Sequence, residues 1–362
     1  MDFGLSQEQT LLQDQLSRFL SQNAALARAR VFAAENQARA PDVEAGLAEL
    51  GVPGLIIPEE EGGVGLSLLD AALACEVLGR HVTPAPFIGS SVLAPLALMQ
   101  GGDAGQRGVW LPKLAAGSTV AGVAISEAAG ARENAGVEAR DGKLFGRALF
   151  VIDFEADLYL VADRSKRLHL VAADAPGLTR TRLPTIDTTR PTGELLFDGA
   201  PGEPLAGGGD PAALIRRLID VGRVMYAADT LGAAQAMIDQ AVVYAKGREQ
   251  FGRSIATFQA VKHMCAEMAA SLEPCRALVW YAGHALTSLP EEASVTACHA
   301  KAHVSEVGTR VARTATEVHG GMGFTDLVGL HYWFKRIGFN RQMLGGPQAV
   351  REDAARLQSL AA

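Results

Sequence analysis

The feature that most constrains this chain is a change of hydrophobic period along its length. Apolar residues recur at helical spacing in long stretches at both ends and at strand spacing only in the middle. From Leu214 to Lys246 the pattern predicts one amphipathic helix, with Leu218, Ile219, Tyr226, Leu231, Met237 and Ile238 on its apolar faces. Gly222 and Gly232 lie inside it. Glycine in a helix costs roughly 1 kcal/mol against alanine, so close packing against a neighbour or against a ligand is expected at both. Further helices are predicted from Thr257 to Leu289, stopped by Pro290, from Glu292 to Val318, and around His331–Met343 and Ala349–Leu360.

The N-terminal part, 1–118, also reads as helical. Ser6 and Gln9 form a capping-box pattern ahead of Leu11, Leu12, Leu16 and Phe19, and Val43 to Leu50 gives a short helix ended by Gly51. Pro58 to Gly65 is a solvated turn, Ser67 caps a helix running to Gly79, and Ser90 to Met99 gives another. From Thr119 the period shortens. Val120–Ile125, Val137–Arg140, Phe150–Ile152, Leu158–Ala162, Leu168–Val171 and Glu194–Phe197 are strand-like, and Asp141-Gly142 is a strong hairpin signal. The expected architecture is mainly α with a central antiparallel β domain: a helical domain (1–118), a β barrel or sandwich (119–205) and a C-terminal four-helix bundle (212–362).

The net charge of −7 argues against a nucleic-acid surface while leaving room for a small basic patch. The 48% hydrophobic and 20% charged residues are ordinary for a soluble globular protein. Cys75, Cys265, Cys275 and Cys298 have neither CxxC nor histidine spacing, so buried thiols are expected rather than a metal site. The N-terminus has no apolar core of a secretory signal, and no apolar stretch is long enough to span a membrane. A cytoplasmic location is expected.

Tyr244–His263 reads as a helix end, a charged turn and a new helix start. Arg248, Gln250 and Phe251 beside Gly252 suit a pyrophosphate and an aromatic ring, although a plain surface turn explains them equally well. This pattern, R-x-Q-F-G-x-x-I-x-x-x-Q, resembles the flavin-adenine contact segment of the acyl-CoA dehydrogenase family. Glu317-Val-His-Gly-Gly-Met-Gly-Phe324 resembles that family's C-terminal glycine turn, and further matches run from Met1-Asp-Phe3 through Pro58–Gly65 to Arg336. The resemblance implies an FAD enzyme that oxidises acyl-CoA between Cα and Cβ and passes electrons to an electron-transfer flavoprotein or similar acceptor. It also implies assembly with a like or unlike subunit that covers the adenine half of the flavin.

By that resemblance Arg248, Gln250, Phe251 and Gln259 contact the adenosine-pyrophosphate end, and Gly320 and Gly321 allow close approach to it. Glu317 stands where most relatives have glutamine, and an acid there is unfavourable unless it faces away. Ser126, at the end of Ala124-Ile-Ser-Glu127, is expected to hydrogen-bond the isoalloxazine. The family's glycine-serine-aspartate continuation is replaced by Ala131-Arg132-Glu133, and its flavin-wall segment by Leu149–Ile152, which reads equally as a plain core strand.

The reaction requires a base for the α-proton, best a desolvated carboxylate. Both positions at which relatives carry that glutamate fall on glycine here, Gly345 and Gly222. Asp220 and Arg223, at i and i+3, read as a helical ion pair or as lining the acyl pocket. Asp229, seven residues beyond Gly222 on nearly the same face, is the remaining candidate, a base with a raised pKa. The expected reading is an FAD-dependent acyl-CoA dehydrogenase, assembled as a dimer or tetramer; the alternative is a non-catalytic partner that completes a related chain's FAD site, and a third possibility is a flavin oxidase or monooxygenase on the same fold. Histidines 319 and 331 have no second ligand spaced for metal.

Overall fold

The computed structural model describes residues 4–130 and 132–360. The matches at Met1-Asp-Phe3 and at Ala131 lie outside the described residues. Six helices open the chain: α1 (Gln7–Asn23), α2 (Leu26–Ala34), α3 (Pro41–Glu49), α4 (Leu68–Arg80), α5 (Ala94–Gly101) and α6 (Ala104–Ala115). The capping box expected at Ser6 forms, and the expected N-cap Ser67 also closes a capping box, with Asp70. Ser6 Oγ accepts the Gln9 N–H at 3.1 Å, and Ser67 Oγ accepts that of Asp70 at 3.3 Å. A third, Asp103 with Gln106, starts α6, which the sequence reading missed because Pro112 lies inside it.

Then come β1 (Ala121–Ala124), the short helix α7 (Ser126–Ala129), β2 (Gly136–Arg140), β3 (Lys143–Val151), β4 (Leu158–Ala162), β5 (Leu168–Ala172), β6 (Leu178–Arg182), β7 (Gly193–Pro201) and β8 (Glu203–Pro204). They form two four-stranded sheets, ordered β1-β4-β5-β8 and β2-β3-β7-β6. The middle domain is not wholly antiparallel: β1 pairs in parallel with β4, Ala121 opposite Leu158. Two separate short apolar runs joined across the sheet give no sequence signal of direction. Asp141 and Gly142 both adopt left-handed backbone (φ 51 and 73) and close the β2–β3 hairpin as expected.

The C-terminal part contains α8 (Pro211–Gly247), a small hairpin of β9 (Glu249–Gln250) and β10 (Arg253–Ser254), then α9 (Gln259–Ser288), α10 (Pro290–His319), α11 (His331–Gln342) and α12 (Pro347–Leu357). Pro290 starts α10 at its first turn, where its missing N–H costs nothing. The glycines explain how α8 meets α4. A Cβ on Gly232 would lie 1.8 Å from the Glu76 carbonyl oxygen, and one on Gly79 would lie 2.1 Å from that of Asp229. Alanine at either position would force the two backbones apart.

Asp153 anchors the turn before α5. Its Oδ2 accepts the N–H groups of Gly89 (2.7 Å) and Ser90 (3.0 Å). Burial raises its pKa to about 6, against the opposing pull of those N–H groups and Arg190. A carboxyl raised above its unfolded value near 3.9 contributes stability in acid that is lost as pH rises through its folded pKa. On that basis stability should fall by about 1 kcal/mol between pH 5 and pH 7.5 through this group. Urea unfolding of the wild type and Asp153→Asn at both pH values checks it: the variant should lose this component.

Candidate functional site

A cavity of about 870 Å³ opens between the middle domain and the bundle. One wall comes from α7, the loop after it, β2 and the β4–β5 turn; the other from the first turns of α8, with Ser294 of α10 and the end of α12. Asp220 and Arg223 both face it. They take separate partners rather than each other. Ser294 Oγ donates to Asp220 Oδ2 at 2.6 Å, and Arg223 Nη2 donates to Asp353 Oδ2 at 2.6 Å. Burial raises the Asp220 pKa, partly offset by Ser294 and Arg223. Glu127, on the opposite wall, is also raised by burial, although it accepts the Leu149 N–H at 2.8 Å.

Asp229 is elsewhere. It is 0% exposed and sits in a knot of buried polar groups. Its Oδ2 accepts from Arg190 Nη2 at 2.7 Å and Arg336 Nη1 at 3.3 Å, and its Oδ1 from Asn340 Nδ2 at 2.6 Å. Burial alone would raise its pKa, but Arg190, Arg336 and Asn340 outweigh that and hold it below the ordinary aspartate value. The expectation of a raised pKa is therefore corrected. This carboxylate is fully committed to two arginines, and it does not line the cavity. Arg336 also donates to Asp187 (2.5 Å) and Thr189 (2.6 Å), so the knot ties the loop before β7 to α8 and α11. Sequence reading missed Arg190 because nothing in the loop Asp187–Arg190 marks it as buried.

A side chain at either glycine of the base positions would have to displace a neighbouring side chain. A Cβ on Gly222 would lie 2.3 Å from Leu344 Cδ1. Gly345 has φ +106, and a Cβ there would lie 3.0 Å from Val350 Cγ2. Leu344 is itself buried in left-handed backbone (φ 54), and its carbonyl accepts from Arg223 Nε at 3.0 Å.

Most of the residues expected to hold flavin are presented outward. Arg248, Gln250 and Gln259 are exposed, and Phe251 is 92% exposed at the tip of the β9–β10 hairpin. Glu317 points to solvent, and Gly320 and Gly321 have open space where a Cβ would stand. Tyr244 stacks on His319 with ring centroids 4.6 Å apart, which brings the hairpin and the glycine turn to one end of the bundle. Two open glycines beside an exposed arginine and aromatic ring fit the dinucleotide end of FAD. Ser126 is buried at the inner edge of the middle domain, where its hydroxyl donates to the Phe150 carbonyl at 3.1 Å rather than standing free. Arg132, absent from the expectations, lines the cavity and packs over the Phe150 ring at 4.9 Å. No helix is long and apolar enough to cross a membrane, and no group of metal-ligating side chains occurs, among the described residues.

Comparison with known proteins covers nearly the whole chain. Residues 6–118 match the model of the acyl-CoA dehydrogenase N-terminal domain, and 212–357 that of the C-terminal domain. "Acyl-CoA dehydrogenase IpdE2" of Mycolicibacterium smegmatis is 30% identical over 357 residues, covering 98% of this chain and 99% of that protein. A solved structure titled "Tcur3481-Tcur3483 steroid ACAD G363A variant" is 30% identical with a TM-score of 0.87, over 97% of this chain and 98% of that one. The ChsE4-ChsE5 complex from Mycobacterium tuberculosis is 25% identical with a TM-score of 0.90, over the full length of both chains.

Proposed function

Since the chain belongs to the acyl-CoA dehydrogenase family and has its fold, we propose that it is the base-free member of a heteromeric, FAD-dependent acyl-CoA dehydrogenase. In this reading it binds acyl-CoA and completes the FAD site of a related chain, and that second chain removes the α-proton. The observation that carries it is the packing of Leu344 into the space that a side chain at 222 would need, together with the left-handed backbone of Gly345. Leu344 and Val350 fill the space beside these two glycines.

FAD, when bound, supplies the acceptor for the β-hydride, which no protein side chain can provide. This chain's part is positioning. Arg248, Gln250, Phe251, Gln259, Glu317, Gly320 and Gly321 face outward toward a neighbour's cofactor, and Arg223 fixes the loop at Leu344. The relatives named for steroid substrates and for a two-component complex support a bulky acyl group and an unlike partner. Electrons would leave to an electron-transfer flavoprotein or similar acceptor. The test is the visible spectrum of the chain purified alone, with FAD counted per chain. A colourless protein that gains flavin on mixing with a second family chain is expected; one bright flavin per chain with turnover alone would contradict the proposal.

A second reading, self-sufficient dehydrogenation of acyl-CoA, is favoured by one observation. Asp220 faces the cavity with a raised pKa and only a hydroxyl donor. If Asp220 were the base, Asp220→Asn would slow flavin bleaching by acyl-CoA at least a hundredfold. In the heteromeric reading bleaching continues at a rate within a few-fold of wild type.

A further inference from the structure

We propose that the segment Met343–Gly346, between α11 and α12, is a proton-gated strap: it stays down on Gly222 while Lys301 is uncharged, and charging Lys301 lifts it. The inference uses the packing at Gly222 and does not depend on which chain supplies the base.

The first observation is how the strap is built. Leu344 is buried in left-handed backbone (φ 54), a costly conformation for a leucine. Gly345 follows with φ 106, and Gly346 precedes Pro347 at the start of α12. A strained residue followed by two glycines can take a second arrangement once its holding contacts weaken.

The second observation is what holds it. Two buried cations secure the strap and the helix end before it through backbone carbonyls. Arg223 Nε donates to the Leu344 carbonyl at 3.0 Å. Lys301 Nζ donates to the carbonyls of Asn340 at 2.7 Å and Arg341 at 3.0 Å, in the last turn of α11, and to Ser305 Oγ at 3.4 Å. Lys301 is 1% exposed, and among the described residues it forms no salt bridge. An ammonium buried on neutral oxygens alone carries a large desolvation cost.

The surrounding charges do not relieve that cost. Burial first, then Arg223 on α8 and Arg341 on α11, bring the Lys301 pKa down to about 7. Asp353 on α12 is taken by Arg223 and Arg356, and Asp220 on α8 accepts from Ser294. Burial pushes the Cys298 thiol on α10 up to about 11, so it stays protonated. His299 and His303 lie on the exposed face of α10. Lys301 is therefore the buried group here that changes charge near neutral pH.

In place, Lys301 binds its proton less readily than a lysine in water, whose pKa is about 10.4. Lifting the strap frays the end of α11 and lets water reach the ammonium, so protonation favours the lifted arrangement. From about pH 7 up to the ordinary lysine value, rising pH closes the strap. Below that range both arrangements carry the charge and the balance levels off. With the strap up, Leu344 leaves the side of Gly222, where Leu93 is the other neighbour, and the position opens.

The test is methyl relaxation dispersion on the full chain with carbon-13-labelled leucine methyls, Leu344 being assigned through Leu344→Ile. The wild type should show a minor state of Leu344 at about pH 7 whose population falls about tenfold or more by about pH 9. Lys301→Met keeps the buried chain and removes the charge, so its Leu344 population should be the same at both pH values. The Leu16 methyls on α1 are the control and should not respond. If Lys301→Met fails to fold, the Lys301 Cε resonance of the wild type gives the answer: it should titrate over the range in which the Leu344 population begins to fall. No minor state near pH 7, a population independent of pH, a fall that persists in Lys301→Met, or a Lys301 resonance that titrates only at the ordinary lysine value would overturn the proposal. Finding that this chain does supply the base would leave these populations untouched, so the two inferences fail separately.

Discussion

Asp229→Ala should lower the free energy of unfolding by about 3–5 kcal/mol, the usual cost of removing one partner from a buried ion pair. The residue is fully buried, and Arg190 and Arg336 are left facing each other without it. Asp187 remains on Arg336, but Arg190 keeps only Asn340. Replacing an isolated surface aspartate would cost a few tenths of that, so the size of the effect alone distinguishes the two situations. The pH dependence has a definite sign. Because the folded pKa of Asp229 is depressed, its stabilisation is present above the unfolded value near 3.9 and is lost as pH falls through the lower folded value. Urea denaturation from pH 7 down to pH 3 measures both: the wild type should lose stability below about pH 4, and the variant should show less of that loss.

Gly222→Glu, which restores the glutamate found on the long helix of some relatives, should destabilise the chain and restore no chemistry. Overfilling a packed core costs about 1–3 kcal/mol, and an unpaired buried carboxylate adds to it. The obstacle is specific: Leu344 Cδ1, held by a backbone carbonyl bonded to buried Arg223. Adding Leu344→Ala to Gly222→Glu should therefore recover part of the overpacking cost, a non-additivity read directly by thermal melts of the single and double variants. Simple additivity would show that Leu344 is not what closes the position.

Much of the fold was legible because its signals are local. The capping box at Ser6, the N-cap at Ser67, the Asp141-Gly142 turn and the long apolar periodicity of α8 need only neighbouring residues. Glycine at 232 was correctly expected to mark a close approach, although its partner, the Glu76 backbone on α4, was not identifiable. The strand Leu178–Arg182 went unseen because its exposed Thr-Arg-Thr-Arg sequence lacks an apolar face.

The site was less legible because it is built from long-range contacts. Asp229 looked like a lone acid in an apolar run, yet its partners stand 39, 107 and 111 residues away. One sequence cannot distinguish an acid awaiting a substrate from an acid already held by two arginines. Arg132 shows the converse. The sequence marks it only as a departure from the family pattern, whereas the structure lays its guanidinium over the Phe150 ring. The hairpin at Phe251 is marked as a contact segment only by the family resemblance, and the structure leaves Phe251 92% exposed at its tip.

The central claim is that the α-proton base comes from another chain. It is tested most directly by anaerobic flavin bleaching in the complex of this chain with its second family subunit, after that subunit's own glutamate base is changed to glutamine. The wild-type complex should bleach on mixing with acyl-CoA, and the complex carrying the altered subunit should bleach at least a hundredfold more slowly. Bleaching at the wild-type rate would show that this chain supplies the base after all, and would contradict the account.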